Sequence, residues 1–141
     1  MKKKFKTSLV LLFAFLASIS LSAKEIEVSS QVEFENALKS VVENDVIIWL
    51  PGTYSDVLMN IGKSKITVRA KLSGETIFTG KSWLHVTGSN VRVEGFQFID
   101  GNIGRENVIE TSGSDNVFTQ INVSGYNSWK YLVIKLSLIH I

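Results

Sequence analysis

The 141-residue chain contains no cysteine. That excludes a disulfide scaffold, a Cys-ligated zinc site, an iron–sulfur cluster, a thiol nucleophile and a lipid anchor on an N-terminal Cys. Histidine is almost as scarce, with only His85 and His140. Any Ser–His–Asp arrangement would have to use one of these two, and His85 sits mid-strand with no motif around it. No apolar run is long enough to span a membrane: the longest, Leu9 to Ile19, falls short of the ~20 residues a transmembrane helix needs. A surplus of positive charge is missing too once its location is considered. The formal charge is +2, but Lys2, Lys3, Lys4 and Lys6 all precede the apolar run, which ends in the small residues Ser20-Leu21-Ser22-Ala23. Charged start, apolar middle and small-residue end are the pattern of an export signal over residues 1–23. Its removal leaves eleven basic and thirteen acidic side chains, a net of −2. The expected location is therefore secreted or periplasmic, with no membrane association after cleavage, and nucleic acid loses its electrostatic basis as a partner.

Leu136-Ser137-Leu138-Ile139-His140-Ile141 resembles, in all six positions, the translation of a transposon end used to prepare sequencing libraries. We read these six residues as foreign, so the natural chain is expected to continue past Lys135. Residues 24–135 then form an incomplete domain, the first coils of a longer one.

Within 24–135, Ser30 and Glu33 have capping-box spacing. Phe34, Ala37, Leu38, Val41 and Val42 follow on one helical stripe, predicting a helix over about 31–43. Everything else reads as short β segments, among them Glu25–Val28, Val46–Leu50, Ile66–Ala70, Trp83–Val86, Val91–Glu94, Val108–Glu110 and Val117–Thr119. Their offsets are regular. Ile66 to Val91, Leu84 to Ile109 and Gly88 to Gly113 are each 25 residues, and Val91 to Val117 is 26. A constant period of about 25 holding several short strands is the signature of a solenoid. The predicted fold class is all-β, a right-handed parallel β-helix of about 25 residues per coil, with the short N-terminal helix capping its open end. A β-sandwich has no reason to repeat at this spacing, and the hairpin pair Asn-Gly is absent. Ile66, Val68, Val91, Val93 and Val117 are expected to point inward in a column, with Arg69 and Glu94 stacked outside as an ion pair.

Chemistry-bearing patterns are few. Gly101-Asn102-Ile103-Gly104-Arg105 lacks the Lys-Ser/Thr of a phosphate loop. Asp100 and Glu106 flank that loop, where solvated acids are the ordinary case, and His85 reads as an outward residue beside Glu110 of the next coil. Asn122-Val123-Ser124 has glycosylation-acceptor spacing. Lys63, Lys65, Lys71, Lys81, Arg92 and Arg105 are expected to scatter over outer faces. Trp83 is expected at a rung end in the core, with stacking on a sugar ring as the functional alternative.

From Asp45 to Tyr54 the order Asp-Val-Ile-Ile-Trp-Leu-Pro-Gly-Thr-Tyr is followed by Ile66–Ala70, by Gly74-Glu75-Thr76-Ile77-Phe78-Thr79-Gly80 and by Val91-Arg92-Val93-Glu94-Gly95-Phe96-Gln97-Phe98. This ordered set resembles the N-terminal coils of polysaccharide lyase family 6, which includes alginate lyases and chondroitinase B, over about Glu25 to Tyr126. It departs from the usual Pro-Gly-Asp before the first strand, where Glu43-Asn44-Asp45 stands, and the helix has fewer Ala. The resemblance implies β-elimination on an acidic polysaccharide, alginate first and dermatan or chondroitin sulfate second. It also implies a calcium ion that neutralises the uronate carboxylate, a Lys as base and an assisting Arg, all on later coils. No catalytic or metal residue is carried over to this sequence. Arg105 and Lys81 are the expected groove-edge substrate contacts. The alternatives on the same fold are an uronan epimerase or pectate-lyase relative, and a non-catalytic surface or binding protein.

Overall fold

Residues alternating apolar and polar become strands here because each coil turns one set of side chains into a shared interior. The computed structural model describes residues 22–135. Along the chain the elements are β1 (Glu25–Val28), α1 (Gln31–Ser40), β2 (Val46–Trp49), β3 (Gly52–Ser55), β4 (Leu58–Ile61), β5 (Thr67–Ala70), β6 (Thr76–Gly80) and β7 (Trp83–Val86). They continue with β8 (Arg92–Glu94), β9 (Phe96–Gly101), β10 (Asn107–Thr111), β11 (Val117–Thr119), β12 (Asn122–Ser124) and β13 (Lys130–Ile134). Every strand pairing is parallel, in three sheets ordered β1-β2-β5-β8-β11, β3-β6-β9-β12 and β4-β7-β10-β13. From β2 onward each coil contributes one strand to each sheet, while β1 adds a fifth strand to the first. This is the parallel β-helix that the 25-residue period predicted. The segments β3, β4 and β13 carry too little alternation to have been expected from sequence.

Register produces continuous apolar columns. Ile47, Val68, Val93 and Phe118 stack in the first sheet. Tyr54, Phe78, Phe98 and Val123 stack in the second, and Met59, Leu84, Ile109 and Leu132 in the third. Aromatic rings link the coils: Trp49 meets Phe78 edge-on at 5.1 Å between centroids, and Phe78 lies 5.2 Å from Phe98. At the N-terminal end Phe34 of α1, fully buried, lies 5.5 Å from Trp49. The helix thus closes the end of the coil whose core would otherwise face water.

The corners repeat as well. Asn44, Lys65, Asn90 and Asp115 all adopt left-handed backbone, with φ of 72°, 58°, 56° and 56°. They stack through the bonds from Asn44 N to Lys65 O, Lys65 N to Ser89 O and Asn90 N to Ser114 O, at 2.7, 2.9 and 2.8 Å. Beside them Ser64, Ser89 and Ser114 form a hydroxyl ladder, each Oγ of the first two accepting the N–H of the serine one coil on.

Four local expectations are corrected. The helix ends at Ser40, not near 43, because Val41 is extended and the Asp45 carboxylate takes the Val42 N–H at 2.9 Å. Val42 is consequently exposed. Ser30 Oγ does accept the Glu33 N–H, but the Glu33 carboxylate takes the N–H of Ser29, not that of Ser30. Val117 does not face inward: it pairs with Arg92 at an offset of 25, one residue away from the sequence alignment with Val91. A one-residue slip flips every side chain of a strand, so Val117 is exposed and Phe118 continues the column. Arg69 and Glu94 are in register as expected. Their charges go elsewhere: Arg69 pairs with Glu25 at 3.4 Å and Glu94 with Arg92 at 2.9 Å.

Candidate substrate-facing site

Outward side chains of the third sheet make a polar strip. In β7, Leu84 and Val86 point inward, so Trp83 and His85 share the outer face. Trp83 is therefore half-buried on the outside and is not a core residue; the alternation of β7 excludes the rung-end core position. Its indole lies flat on the His85 imidazole, 4.9 Å between centroids and 5° between planes. Register sets Asn60 below His85 and Glu110 above it. His85 Nε2 lies 3.2 Å from the Asn107 carbonyl, which can only accept, so this nitrogen carries the proton.

Glu110 is the electrostatic centre of the strip. Lys135 Nζ donates to Glu110 Oε1, and Asn107 Nδ2 donates to Oε2 at 2.9 Å. These two bonds, Lys135 first, hold its carboxyl below the ordinary carboxylate range against the opposing effect of burial. Asn107 and Lys135 carry no motif; Lys135 lies two residues past Val133, the register partner of Glu110, so its alternation puts it on the same outward face.

Lys81 begins the turn between β6 and β7, its N–H donating to Asp56 Oδ1 at 2.8 Å. It lines a cavity of about 390 Å³ together with Trp83, Asn102, Ile103 and Gly104. Arg105 follows Gly104 on the flanking loop and is exposed, but it is not part of that lining. Of the two expected substrate contacts, the structure brings Lys81 to the aromatic strip and leaves Arg105 beside it. The expected scatter of cations also divides. Lys65, Lys71 and Arg92 are tied to Glu43, Glu27 and Glu94. Lys63, Lys81 and Arg105 form no ion pair among the described residues. Also among the described residues, no three His, Cys, Asp or Glu side chains come together to hold a metal ion. Residues 1–21 and 136–141, with most of the export-signal reading and all of the adapter reading, lie outside the described residues.

A stack of parallel coils with a helical lid and a polar outer strip defines a parallel β-helix protein. The family model for chondroitinase B matches residues 28–134, and the chain belongs to that family. Among solved structures, the PL6 family polysaccharide lyase Pedsa3628 from Pseudopedobacter saltans matches with 26% identity and a TM-score of 0.57, covering 66% of this chain. The PL6 family alginate lyase AlyGC matches with 24% identity and a TM-score of 0.59, covering 67% of this chain, and supports the fold alone. The matched part spans 24% of the first relative's chain and 15% of the second's. Among curated proteins no sequence matches.

Proposed function

We propose that residues 24–135 are the N-terminal coils of an exported polysaccharide lyase that cleaves a uronate-containing acidic polysaccharide, alginate first, with dermatan or chondroitin sulfate as the second choice. The observation that carries this reading is the family match over residues 28–134. In such a β-elimination a base removes the C5 proton, the C4–O bond breaks, a C4–C5 double bond forms and the departing oxygen takes up a proton. The carbanion character at C5 must be stabilised by neutralising the adjacent carboxylate, a task suited to a hard cation with oxygen ligands. We place the calcium, the Lys base and the assisting Arg on coils that follow Lys135. The coils described here support that machinery and present Lys81 and Arg105 to the polyanion. Export by residues 1–23 belongs to the same proposal, since the polymer lies outside the cell.

The test is to extend the reading frame past Lys135, express the longer protein and assay it on alginate, dermatan sulfate and chondroitin sulfate. Ultraviolet absorbance of an unsaturated uronate is expected from one of them with the longer protein, and none with residues 24–135. Silence of the extended protein on all three polymers sinks the lyase reading. Activity of residues 24–135 alone sinks the placement of the catalytic residues.

A further inference from the structure

We propose that Trp83 and Lys81 form a saccharide-binding subsite for a single uronate unit, on the outer face where the second and third sheets meet. This rests on the acidic-polysaccharide reading above, and adds a binding position on coils that no comparison assigns to substrate. Three observations converge. Trp83 presents an indole whose plane is set by parallel stacking on His85, 4.9 Å away, so the ring is oriented before any ligand arrives. Trp83 Nε1 has no hydrogen-bond partner, a rare condition for a covered indole N–H. Lys81 lines the same cavity, with no ion pair among the described residues, and Asn102 lines it with an amide.

The set matches the chemistry of one sugar class. An apolar sugar face packs on an aromatic plane, a hydroxyl takes the amide donor, and a carboxylate takes the ammonium. The cavity, at about 390 Å³, lies in the ordinary size range of small-ligand sites. Acids are nearby but engaged: Asp56 accepts the Lys81 N–H, and Glu110 is neutralised by Lys135. The unpaired positive charge on the cavity wall is that of Lys81.

The experiment is an NMR titration of the indole N–H signals of the full chain with a uronate tetramer and, in parallel, a neutral β-1,4-glucan tetramer. The Trp83 signal, assigned by its disappearance in Trp83→Phe, is expected to shift saturably with the uronate while that of Trp49 stays in place. Lys81→Gln, at an exposed position, is expected to weaken binding roughly tenfold, the effect of losing one charge-assisted bond, and Trp83→Ala to abolish it. Unchanged uronate affinity in both variants overturns the subsite and leaves the lyase reading standing. A Trp83 shift with the neutral tetramer alone overturns the uronate assignment. Saturable uronate binding at Trp83, with an extended protein inactive on every polymer, would support the subsite and reject the lyase reading.

Discussion

Gly113 lies so directly over Gly88 that a Cβ on it would sit 1.8 Å from the Gly88 carbonyl oxygen. One coil below, a Cβ on Gly88 would meet the Lys63 carbonyl at 2.1 Å. Backbone stacks on backbone at this corner, and neither glycine has a positive φ between +20° and +160°. The requirement is space, not conformation. Gly113→Ala and Gly88→Ala are each expected to destabilise by about 3 kcal/mol or more, as overpacking against immobile backbone does. Gly104→Ala is the control: nothing lies within 4 Å, φ is +63°, and the cost is limited to about 1–2 kcal/mol of left-handed strain. Urea unfolding of the three variants checks the order.

Asn116 occupies the turn position after that glycine and ties three groups together. Its Nδ2 donates to Gly88 O and Thr111 Oγ1, both at 2.9 Å, and its Oδ1 accepts the Val91 N–H at 2.9 Å. Asn116→Ala leaves a backbone donor and acceptor without partners, an expected loss of about 2–3 kcal/mol. Asn116→Asp keeps the acceptor but removes both donors. It is expected to be no better than Ala, and near-wild-type stability for it would show the Nδ2 bonds to be immaterial.

Glu110 makes stability depend on acid. Its carboxyl lies below the ordinary value because Lys135 and Asn107 bind the charged form. The stabilisation is therefore fully present above the unfolded-state pKa and fades as pH falls through the lower folded value. Glu110→Gln is expected to cost about 1 kcal/mol or less at neutral pH, the ion pair being partly exposed, and to flatten the decline between pH 5 and 3 (roughly the window of carboxylate titration). Thermal melts of both proteins across that range test it; parallel curves would remove Glu110 from the account.

Tyr126 gives the opposite limb. Burial pushes its phenol up to about 12. The neutral form is favoured by the folded state, so its contribution is present below the unfolded value of 10.0 and is lost as pH rises toward 12. Absorbance titration is expected to show one tyrosine ionising well after the others, and Tyr126→Phe to remove that late step. If Tyr126→Phe leaves the late step in place, the assignment fails.

Leu132 and Ile134 continue the inward columns of the third sheet yet are 53% and 61% exposed, with Trp129 beside them at 65%. Residues 24–135 alone are therefore expected to associate through this face and through unpaired strand edges. Light scattering after size exclusion checks this, and a monodisperse, cooperatively melting monomer would contradict it.

Much of this molecule is determined by sequence alone. A strand side chain must alternate faces, and a coil must repeat its turn chemistry, so the 25-residue offsets of Leu84 with Ile109 and Gly88 with Gly113 already require parallel stacking. Phe34 and Ala37 at helical spacing required an apolar face for the end of the stack, and both are buried there. What tertiary structure alone decided is which residue of a near-repeat sits over which. Val117 and Asn116 look interchangeable above Val91 until the ladder hydrogen bonds choose the register, and that choice exposes one and buries the bonds of the other. The candidate site follows the same rule. Lys81 and Trp83 are near neighbours in sequence, but only the inward demand of Leu84 and Val86 turns Trp83 outward beside Lys81, because successive strand side chains point to opposite faces.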